Sequence, residues 1–345
     1  MTVTPHRTAR LICTGLYAAV LAAIMVMNRI GAEYWWPGAL NLYLPQLVWA
    51  VPAVLLLMFR PAAGRRRLWL PGLCLVSVLG PIMGFHWSMQ TPPAAGPGVR
   101  ILTCNAKYGI RDTTELLKDL DRYQPQVVLL QDSTGLLQGP HGAFFKGWEV
   151  RSFQQYVIAS RFPLGPAEVR WAQTSWGSRP MLRCRVNFGG THVVLYDVHF
   201  QSPRNSLNAF RTDLDENWRL QEAVQGLQEG AAMRLEQARA LRGFLEQETD
   251  PVIVAGDFNA PDPSRVCATL RGAGLRDAFS AGGRGYGYTY GHLLPKRRIP
   301  WWTLSWMRID HIMTSARIRV WRCWVGTGKA SDHRPVIADL TLGTP

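Results

Sequence analysis

The sequence predicts an α/β sandwich preceded by three transmembrane helices. Two observations support the sandwich: short apolar runs typical of buried strands recur through residues 99–345, and segments with helical spacing lie between them without strict alternation. Such an irregular mixture favours a sandwich over a doubly wound parallel sheet. A third observation supports the membrane helices. Residues 11–28, 42–59 and 68–87 are apolar stretches that contain no Lys, Arg, Asp or Glu.

The composition changes sharply near residue 98. Residues 1–98 hold seven Arg, one Glu and neither Lys nor Asp, a net charge of +6, whereas the remainder contributes +8 to the total of +14. We therefore expect a membrane region at residues 1–90, a linker rich in Pro, Ala and Gly at residues 91–98, and one globular domain at residues 99–345. A domain of that length can bury a substantial core.

The three apolar stretches are close to the ~20 residues that a helix needs to cross ~30 Å of hydrocarbon. Arg7 and Arg10 precede the first stretch, and Arg60 and the three Arg residues at 65–67 lie between the second and third. Because positively charged flanks stay in the cytoplasm, we expect a multi-pass protein of the cell membrane. Its N-terminus would be cytoplasmic and its globular domain extracytoplasmic. A transporter is disfavoured, since the stretches hold no charged group that would carry a substrate.

The globular domain begins with a predicted strand at Val99–Cys104 and a predicted helix at Thr113–Tyr123, and a long helix is predicted at Asn217–Glu248. The other predicted strands are Val127–Gln131, Tyr156–Ser160, Met181–Phe188, Val193–His199, Val252–Ala255, Arg308–Met313, Ile318–Trp324 and Pro335–Leu342. The six Cys residues follow neither a metal-ligand spacing nor a disulfide framework, so we expect free thiols.

Polar side chains stand at the ends of these apolar strands. Asn105 follows the first strand, Asp132 follows the second, and His199 ends another. The later polar runs are Gly256-Asp257-Phe258-Asn259, Ile309-Asp310-His311-Ile312 and Ser331-Asp332-His333-Arg334-Pro335. Loops at strand ends converge on a rigid scaffold, where functional residues concentrate. Because carboxylate and amide oxygens are the ligands that Mg²⁺ takes, the pattern indicates a site for Mg²⁺, with Mn²⁺ as an alternative.

In their order along the chain, these runs resemble the motifs of the endonuclease/exonuclease/phosphatase family. That family includes pancreatic-type deoxyribonucleases, apurinic endonucleases, inositol-polyphosphate phosphatases and bacterial sphingomyelinases. The resemblance covers Val99–Leu342. It implies a four-layer α/β/β/α sandwich, in which two β-sheets pack together between helices, and it implies Mg²⁺-dependent hydrolysis of phosphate esters.

The resemblance assigns metal binding to Asn105, Asp132 and Asp332. Asp132 departs from the family pattern, which usually has Glu at this position, and its side chain is one methylene shorter. A shifted backbone or a bridging water would restore coordination. The alternative is a weakened or lost metal site, which would leave a catalytically inactive binding module tethered to the membrane.

The resemblance assigns catalysis to five further residues. Asp257 would orient or activate the attacking water, and Asn259 would position the phosphate. His333 would act at the phosphoryl group, as base or as transition-state stabiliser, while Asp310 fixes its orientation. His199 would contact the scissile phosphate. These residue types suit the reaction, because phosphoryl transfer depends mainly on positioning and on stabilising negative charge.

The segment before Ile309 suggests a separate hypothesis about the substrate. Arg298, Trp301 and Trp302 lie close together there, and their loop should open near the site. Trp favours the bilayer interface and Arg binds phosphates, so these residues would contact substrate. The alternative is a hydrophobic hairpin packed on the domain. The nearby run Gly285–Tyr290 would add a stacking surface.

The substrate is less well determined than the reaction. A basic domain fits any polyanion, and we take nucleic acid as the family default, which makes a nuclease-like phosphodiesterase the first hypothesis. The second is phospholipase C-like, sphingomyelinase-like or phosphoinositide phosphatase activity on lipid headgroups, because the short linker holds the domain near the bilayer. Endo- or exo-action and oligomeric state stay open.

Overall fold

The computed structural model describes residues 5–58, 69–90, 98–107, 113–138, 140–212, 217–291, 304–327 and 329–342. The helices are α1 Pro5–Ile30, α2 Trp36–Tyr43, α3 Val51–Met58, α4 Trp69–Ser77, α5 Thr113–Tyr123, α6 Pro140–Phe144, α7 Arg204–Thr212, α8 Asn217–Leu245, α9 Arg265–Gly272 and α10 Ala278–Gly282. Shorter helical turns are Ala32–Tyr34, Gln46–Ala50, Val78–Ile82 and Leu136–Gln138. The strands are β1 His86–Trp87, β2 Val99–Asn105, β3 Val127–Gln131, β4 Glu149–Phe153, β5 Tyr156–Ser160, β6 Glu168–Thr174, β7 Gly177–Phe188, β8 Thr191–His199, β9 Val252–Asp257, β10 Leu275–Asp277, β11 Arg284–Gly285, β12 Asp310–Ser315, β13 Ile318–Val325 and β14 Val336–Leu342.

Two mixed six-stranded sheets build the domain. The first has the order β10-β12-β9-β8-β7-β6, and the second has the order β13-β14-β2-β3-β5-β4. Each contains one parallel pair, β8–β9 in the first sheet and β2–β3 in the second. The remaining neighbours are antiparallel. A parallel pair ends both its strands at the same edge, so each sheet presents two carboxyl ends side by side.

The sheets pack face to face through a continuous apolar core. Leu129 and Val127 of β3 meet Leu195 of β8 and Ile253 of β9 in this layer. The outer face of the first sheet is covered by α8 and α9, and the outer face of the second by α5. Helices therefore flank two packed sheets, which confirms the predicted α/β sandwich.

The prediction of three transmembrane helices is not supported by the structure of the N-terminal region. In the described residues, one segment, Thr8–Ile30 of α1, is long and apolar enough to cross a membrane, and a signal sequence near the N-terminus would pass the same test. The second stretch is broken, because Trp36–Tyr43 and Gln46–Met58 meet at 98°. The third helix, Trp69–Ile82, spans only ~21 Å at ~1.5 Å per residue. The multi-pass topology is therefore not supported.

Proline explains the break in the second stretch. Pro45 lies between the two bent segments and has no N–H to donate to a continuous helical ladder. The first segment instead ends at Leu44, whose backbone is extended at φ −78° and ψ 153°. The predicted linker at 91–98 falls, apart from Gly98, outside the described residues.

The N-terminal helices pack on the sandwich. Leu42 and Ala39 of α2 lie in one apolar cluster with Leu227 of α8 and with Ile309. A two-stranded ladder joins β1 to β11, pairing His86 with Gly285. The N-terminal region and the domain therefore share an apolar cluster and a β-ladder. All six Cys residues are free thiols, as predicted.

Candidate active site

The ends of the parallel strands bring the predicted polar residues to one edge of the sandwich. β9 ends at Asp257, whose neighbours in register are His199 on β8 and Asp310 on β12. Asn105 ends β2 and Asp132 directly follows β3 in the second sheet. Because the two sheets are packed together, the four carboxyl ends and the start of β12 lie side by side at this edge.

Asp257 lies at the centre of the cluster and is buried. Its Oδ2 accepts a hydrogen bond from Nδ2 of Asn105 at 3.0 Å, and its Oδ1 accepts from the backbone N–H of Asn259 at 2.9 Å. The Nε2 atoms of His199 and His333 lie 3.5 and 3.7 Å from Oδ2. Burial raises the pKa of Asp257, and the two imidazoles act against that shift.

A glycine allows β9 to approach β8 here. Gly256 has φ 143°, and a Cβ built on it would stand 2.0 Å from the carbonyl oxygen of Val198. Only Gly accommodates both the backbone angle and this contact. The Gly that precedes Asp257 in the motif is therefore required by the strand geometry.

His333 and Asp310 form a buried pair. Nδ1 of His333 donates to the Asp310 carboxylate, whose oxygens lie at 3.0 and 2.9 Å. Burial alone would lower the pKa of His333, but the carboxylates of Asp310, Asp257 and Asp332 raise it to about 9. The imidazole is therefore protonated at neutral pH, with Nε2 turned towards Asp257. The ring of Tyr290 covers it, with 4.7 Å between ring centroids.

Asp132 reaches the cluster despite its shorter side chain. Its Oδ1 lies 3.4 Å from Nδ1 of His199, which also faces Oε1 of Gln155 at 2.8 Å. The backbone of Asp132 adopts φ 46°, a left-handed conformation that Asp tolerates better than most residues. Burial opposes its ionisation, yet hydrogen bonds from His199 and Asn105 hold the pKa of Asp132 below its ordinary value. Burial would lower the pKa of His199, but the carboxylates of Asp132 and Asp257 raise it.

Asn259 is fixed by contacts on each side. Its backbone adopts φ 48°, and its Nδ2 donates to the carbonyl of Phe200 at 2.9 Å while lying 3.3 Å from Oδ2 of Asp257. Its own carbonyl accepts a hydrogen bond from the hydroxyl of Tyr43 at 2.8 Å. In this arrangement the Asn259 amide orients Asp257, and its predicted contact with phosphate stays a prediction.

Asp332 lies beside His333 and pairs with two positively charged side chains. Its Oδ2 accepts from Nζ of Lys107 and, at 2.9 Å, from Nη2 of Arg204. Burial would raise the pKa of Asp332, but His333, Lys107 and Arg204 lower it to about 2. Its carboxylate is therefore engaged with Lys107 and Arg204, and its metal role stays a prediction.

Four residues at the site were not assigned a role from the sequence. They are Lys107, Gln155, Arg204 and Tyr290. Only Tyr290 carried a signal, through the aromatic run that was expected to supply a stacking surface. The predicted substrate contacts Arg298, Trp301 and Trp302 fall outside the described residues. Their neighbour Trp306 is described, and it packs on the N-terminal region by donating from Nε1 to the carbonyl of Tyr43 at 2.9 Å.

The donor set suits a divalent cation. The carboxylates of Asp257 and Asp310 have oxygens within 4.8 Å of one another, and the neighbouring His333, protonated on each ring nitrogen, offers them no competing ligand atom. Oδ1 of Asn105 accepts from the backbone N–H of Lys107 at 3.0 Å and keeps a second lone pair. Together with Asp132, these groups supply the carboxylate and amide oxygens that hard cations require.

A second acidic cluster lies outside this site and is neutralised internally. Nη1 and Nη2 of Arg308 lie 2.6 Å from Asp277 and 2.9 Å from Asp262. Nδ1 of His311 lies 3.2 Å from the same Asp277 carboxylate. Burial opposes ionisation of Asp277, but Arg308 and His311 hold its pKa well below the usual range. This cluster is therefore a buried ion network, and His311 belongs to it and not to the cluster around Asp257.

Solved structures share the fold. Zebrafish (D. rerio) TDP2 humanised by 14 mutations aligns with a TM-score of 0.52 at 18% identity, over 71% of this chain and 99% of its own. An endonuclease/exonuclease/phosphatase from Bacteroides vulgatus aligns with a TM-score of 0.53 at 16% identity, over 72% of this chain and all of its own. Truncated Caenorhabditis elegans TDP2 gives a TM-score of 0.51 at 19% identity, over 71% and 97%.

Sequence comparison identifies the family. No curated protein matches the chain significantly. The model of the Endonuclease/Exonuclease/phosphatase family, however, matches residues 102–333, which is more than half of the chain. That match contains the strand-end residues from Asn105 to His333. The chain therefore belongs to the endonuclease/exonuclease/phosphatase family.

Proposed function

We propose that this protein is a divalent-metal-dependent phosphodiesterase, held at a membrane by its N-terminal region. The observation that carries the proposal is the convergence of Asp257, the Asp310–His333 pair and the oxygens of Asn105 and Asp132 at one edge of the sandwich. Carboxylates that can hold a metal ion and a water, beside an imidazolium that can stabilise negative charge, suit hydrolysis of a phosphate ester.

Asp257 acts on the attacking water in this proposal. Its carboxylate is held from two sides, by Asn105 and by the backbone of Asn259. Fixing a carboxylate in this way reduces the reorganisation needed when it accepts a hydrogen bond from water. The raised pKa of Asp257 moves it towards the range in which it can also accept a proton.

His333 acts as a cation in this proposal, which favours transition-state stabilisation over base catalysis. With a pKa of about 9 it carries a proton on each ring nitrogen at neutral pH, one of them held by Asp310. Nε2–H is then available to a phosphoryl oxygen or to the leaving oxygen. His199, whose pKa is also raised, supplies a second donor near Asp257.

Asn105 and Asp132 would hold the metal ion, Mg²⁺ or Mn²⁺. A bound divalent cation neutralises phosphate charge and polarises the scissile bond. The contacts of Asp132 with His199 support its place in this site and weigh against the inactive binding module. Arg204 and Lys107 lie at the rim, where they would attract an anionic substrate while Asp332 orients them.

Exposed apolar side chains support membrane attachment. Large hydrophobic residues point outwards along α1 and along the bent segments that follow, among them Leu16, Val20, Val26, Val51 and Met58. Single exposed apolar residues are ordinary, but a dense set on neighbouring helices is typical of a surface that meets lipid. With α1 as the span, we place the domain on the extracytoplasmic side because Arg7 and Arg10 lie before its apolar part.

Nucleic acid and phospholipid headgroups are the candidate substrates. The basic domain favours nucleic acid, the first hypothesis. One contact favours phospholipid: Tyr43 of the apolar N-terminal region touches the carbonyl of Asn259, so the site adjoins the helices that would lie in the bilayer.

The test uses the full chain in detergent micelles with bis-(p-nitrophenyl) phosphate, in Mg²⁺, Mn²⁺ or EDTA. We expect hydrolysis that EDTA abolishes and that Asp257→Asn removes, while Asp121→Asn, an exposed control, leaves it unchanged. Single-stranded DNA and phospholipid vesicles are then tested separately as substrates. A folded chain that binds Mn²⁺ in calorimetry but cleaves none of the three would overturn the proposed activity.

A further inference from the structure

We propose that Tyr43, in the N-terminal region outside the family's domain, is a positioning residue for the catalytic segment Asp257–Asn259. Its hydroxyl donates to the carbonyl of Asn259 at 2.8 Å, across 216 positions of sequence. The family match begins at residue 102, so this contact adds to the family's motifs. The inference rests on the proposed function only in its kinetic readout.

Asn259 is held in a turn conformation by contacts with three other residues. Its backbone adopts φ 48°, a left-handed conformation that Asn tolerates better than most residues, and the contacts fix its orientation. Its backbone N–H is held by Asp257, its side-chain amide by Phe200, and its carbonyl by Tyr43. Two of these contacts come from residues of the sandwich. The contact with the Asn259 carbonyl comes from Tyr43, in the N-terminal region.

The hydrogen bond from the backbone N–H of Asn259 couples the position of this residue to that of the Asp257 carboxylate. Oδ1 of Asp257 accepts from that N–H at 2.9 Å, and Oδ2 lies 3.3 Å from the Asn259 amide. The carbonyl that Tyr43 bonds and this N–H belong to two peptide units that share the Cα of Asn259, so a shift of that Cα would move the carboxylate that we place at the attacking water. Small misplacements of a reacting group lower the rate of the chemical step steeply.

Tyr43 is itself fixed within the interface. Both Tyr43 and Asn259 are buried, so the hydroxyl has little competition from water. The carbonyl of Tyr43 accepts from Nε1 of Trp306 at 2.9 Å, and the guanidinium of Arg234 lies 5.7 Å from its ring centre. The tyrosine is thus clamped at its backbone, its ring and its hydroxyl.

The helix that carries Tyr43 is attached to the domain at its other end too. The ring of Trp36 stacks on Phe210 of α7, with 6.2 Å between centroids. Just before α2, Oε1 of Glu33 accepts from the backbone N–H of Arg265 at 2.6 Å. These contacts give α2 a defined seat, which a positioning residue requires.

The test compares Tyr43→Phe with Tyr17→Phe in the full chain in detergent. Tyr17 is the matched control, because its hydroxyl also donates to a backbone carbonyl, that of Trp49, but within the N-terminal helices. We expect Tyr43→Phe to lower kcat for bis-(p-nitrophenyl) phosphate about tenfold with KM within about twofold of wild type. Tyr17→Phe should keep the wild-type kcat.

Hydrogen exchange supplies a readout that does not need activity. Amides of residues 258–260 should exchange faster in Tyr43→Phe than in wild type or Tyr17→Phe. If wild type hydrolyses nothing, the proposed function fails and exchange alone decides this inference. Unchanged exchange at residues 258–260, or an equal loss of kcat in both variants, would overturn it.

A second variant guards against misfolding of Tyr43→Phe. Trp306→Phe removes the indole donor to the Tyr43 carbonyl and leaves the hydroxyl in place. We expect it to speed exchange at residues 258–260 and to lower kcat by a smaller factor than Tyr43→Phe. If Tyr43→Phe cannot be folded and Trp306→Phe matches wild type in both readouts, the inference is wrong.

Discussion

Asp310 holds both of its carboxylate oxygens within hydrogen-bond distance of Nδ1 of His333, at 3.0 and 2.9 Å. The pair is fully buried, and the backbone N–H groups of Ile309 and Asp310 are fixed by Oγ1 of Thr289 at 3.1 and 3.2 Å. A charge so placed keeps the imidazole in one orientation and stabilises its protonated form. This relationship leads to two predictions about pH.

The first concerns activity. If His333 acts as a cation, kcat/KM should fall as pH rises through about 9. Asp310→Asn removes the charge that raises the pKa of His333, so this basic limb should move to lower pH. The measurement is a pH profile with bis-(p-nitrophenyl) phosphate, with Asp121→Asn as control. A basic limb that stays in place in Asp310→Asn would contradict the role of Asp310.

The second concerns stability. The folded-state pKa of His333, about 9, lies above its ordinary value of ~6.5, so the folded chain binds this proton more tightly than the unfolded chain. Its contribution is complete below pH ~6.5 and is lost as pH rises through about 9. His333→Gln should therefore flatten the decline in the free energy of unfolding over that window. Denaturant titrations at several pH values measure it, and an unchanged decline would count against the raised pKa.

Substitution of Asp132 tests whether its carboxylate binds the metal ion. Asp132→Ala should weaken Mn²⁺ binding by about tenfold or more, since it removes a carboxylate beside Asn105. Asp132→Glu restores the usual family residue and should keep the site functional. Calorimetry on both variants, with Asp121→Ala as control, measures the affinity. Equal affinity in Asp132→Ala and wild type would exclude Asp132 as a ligand.

The Arg308 network should be structural. Arg308→Ala leaves Asp277 and Asp262 without their main cation in a buried place. Breaking a buried ion pair on one side typically costs about 3–5 kcal/mol of unfolding free energy. The exposed Arg276→Ala should cost far less. A small loss in Arg308→Ala would mean that water or a bound ion already compensates the two carboxylates.

Much of the site could be predicted because its residues follow apolar strands. Asn105, Asp132 and His199 each mark the point where a buried run stops, and parallel neighbours bring such points together. The buried strand β3 was predicted at its observed bounds, Val127–Gln131. The edge strands β4 and β6 were missed, because their residues are mostly only half-buried and include charged side chains instead of an apolar run.

The N-terminal region was less predictable, because hydrophobicity alone does not determine helix direction. The second apolar stretch has the composition of a span, but Pro45 lies at its 98° bend. The contact between Tyr43 and Asn259 had no sequence signal either, since it depends on how two distant segments pack. Lys107 and Arg204 were likewise found only through their shared partner, Asp332.

The central claim is that this cluster hydrolyses phosphodiesters through His333. The most direct test is the rate of hydrolysis of bis-(p-nitrophenyl) phosphate in Mn²⁺ by the full chain, by His333→Ala and by His192→Ala. His192 is the matched control, because it lies exposed on β8. We predict a loss of about 10² or more in kcat/KM for His333→Ala and none for His192→Ala. Near-normal turnover by His333→Ala would contradict the account.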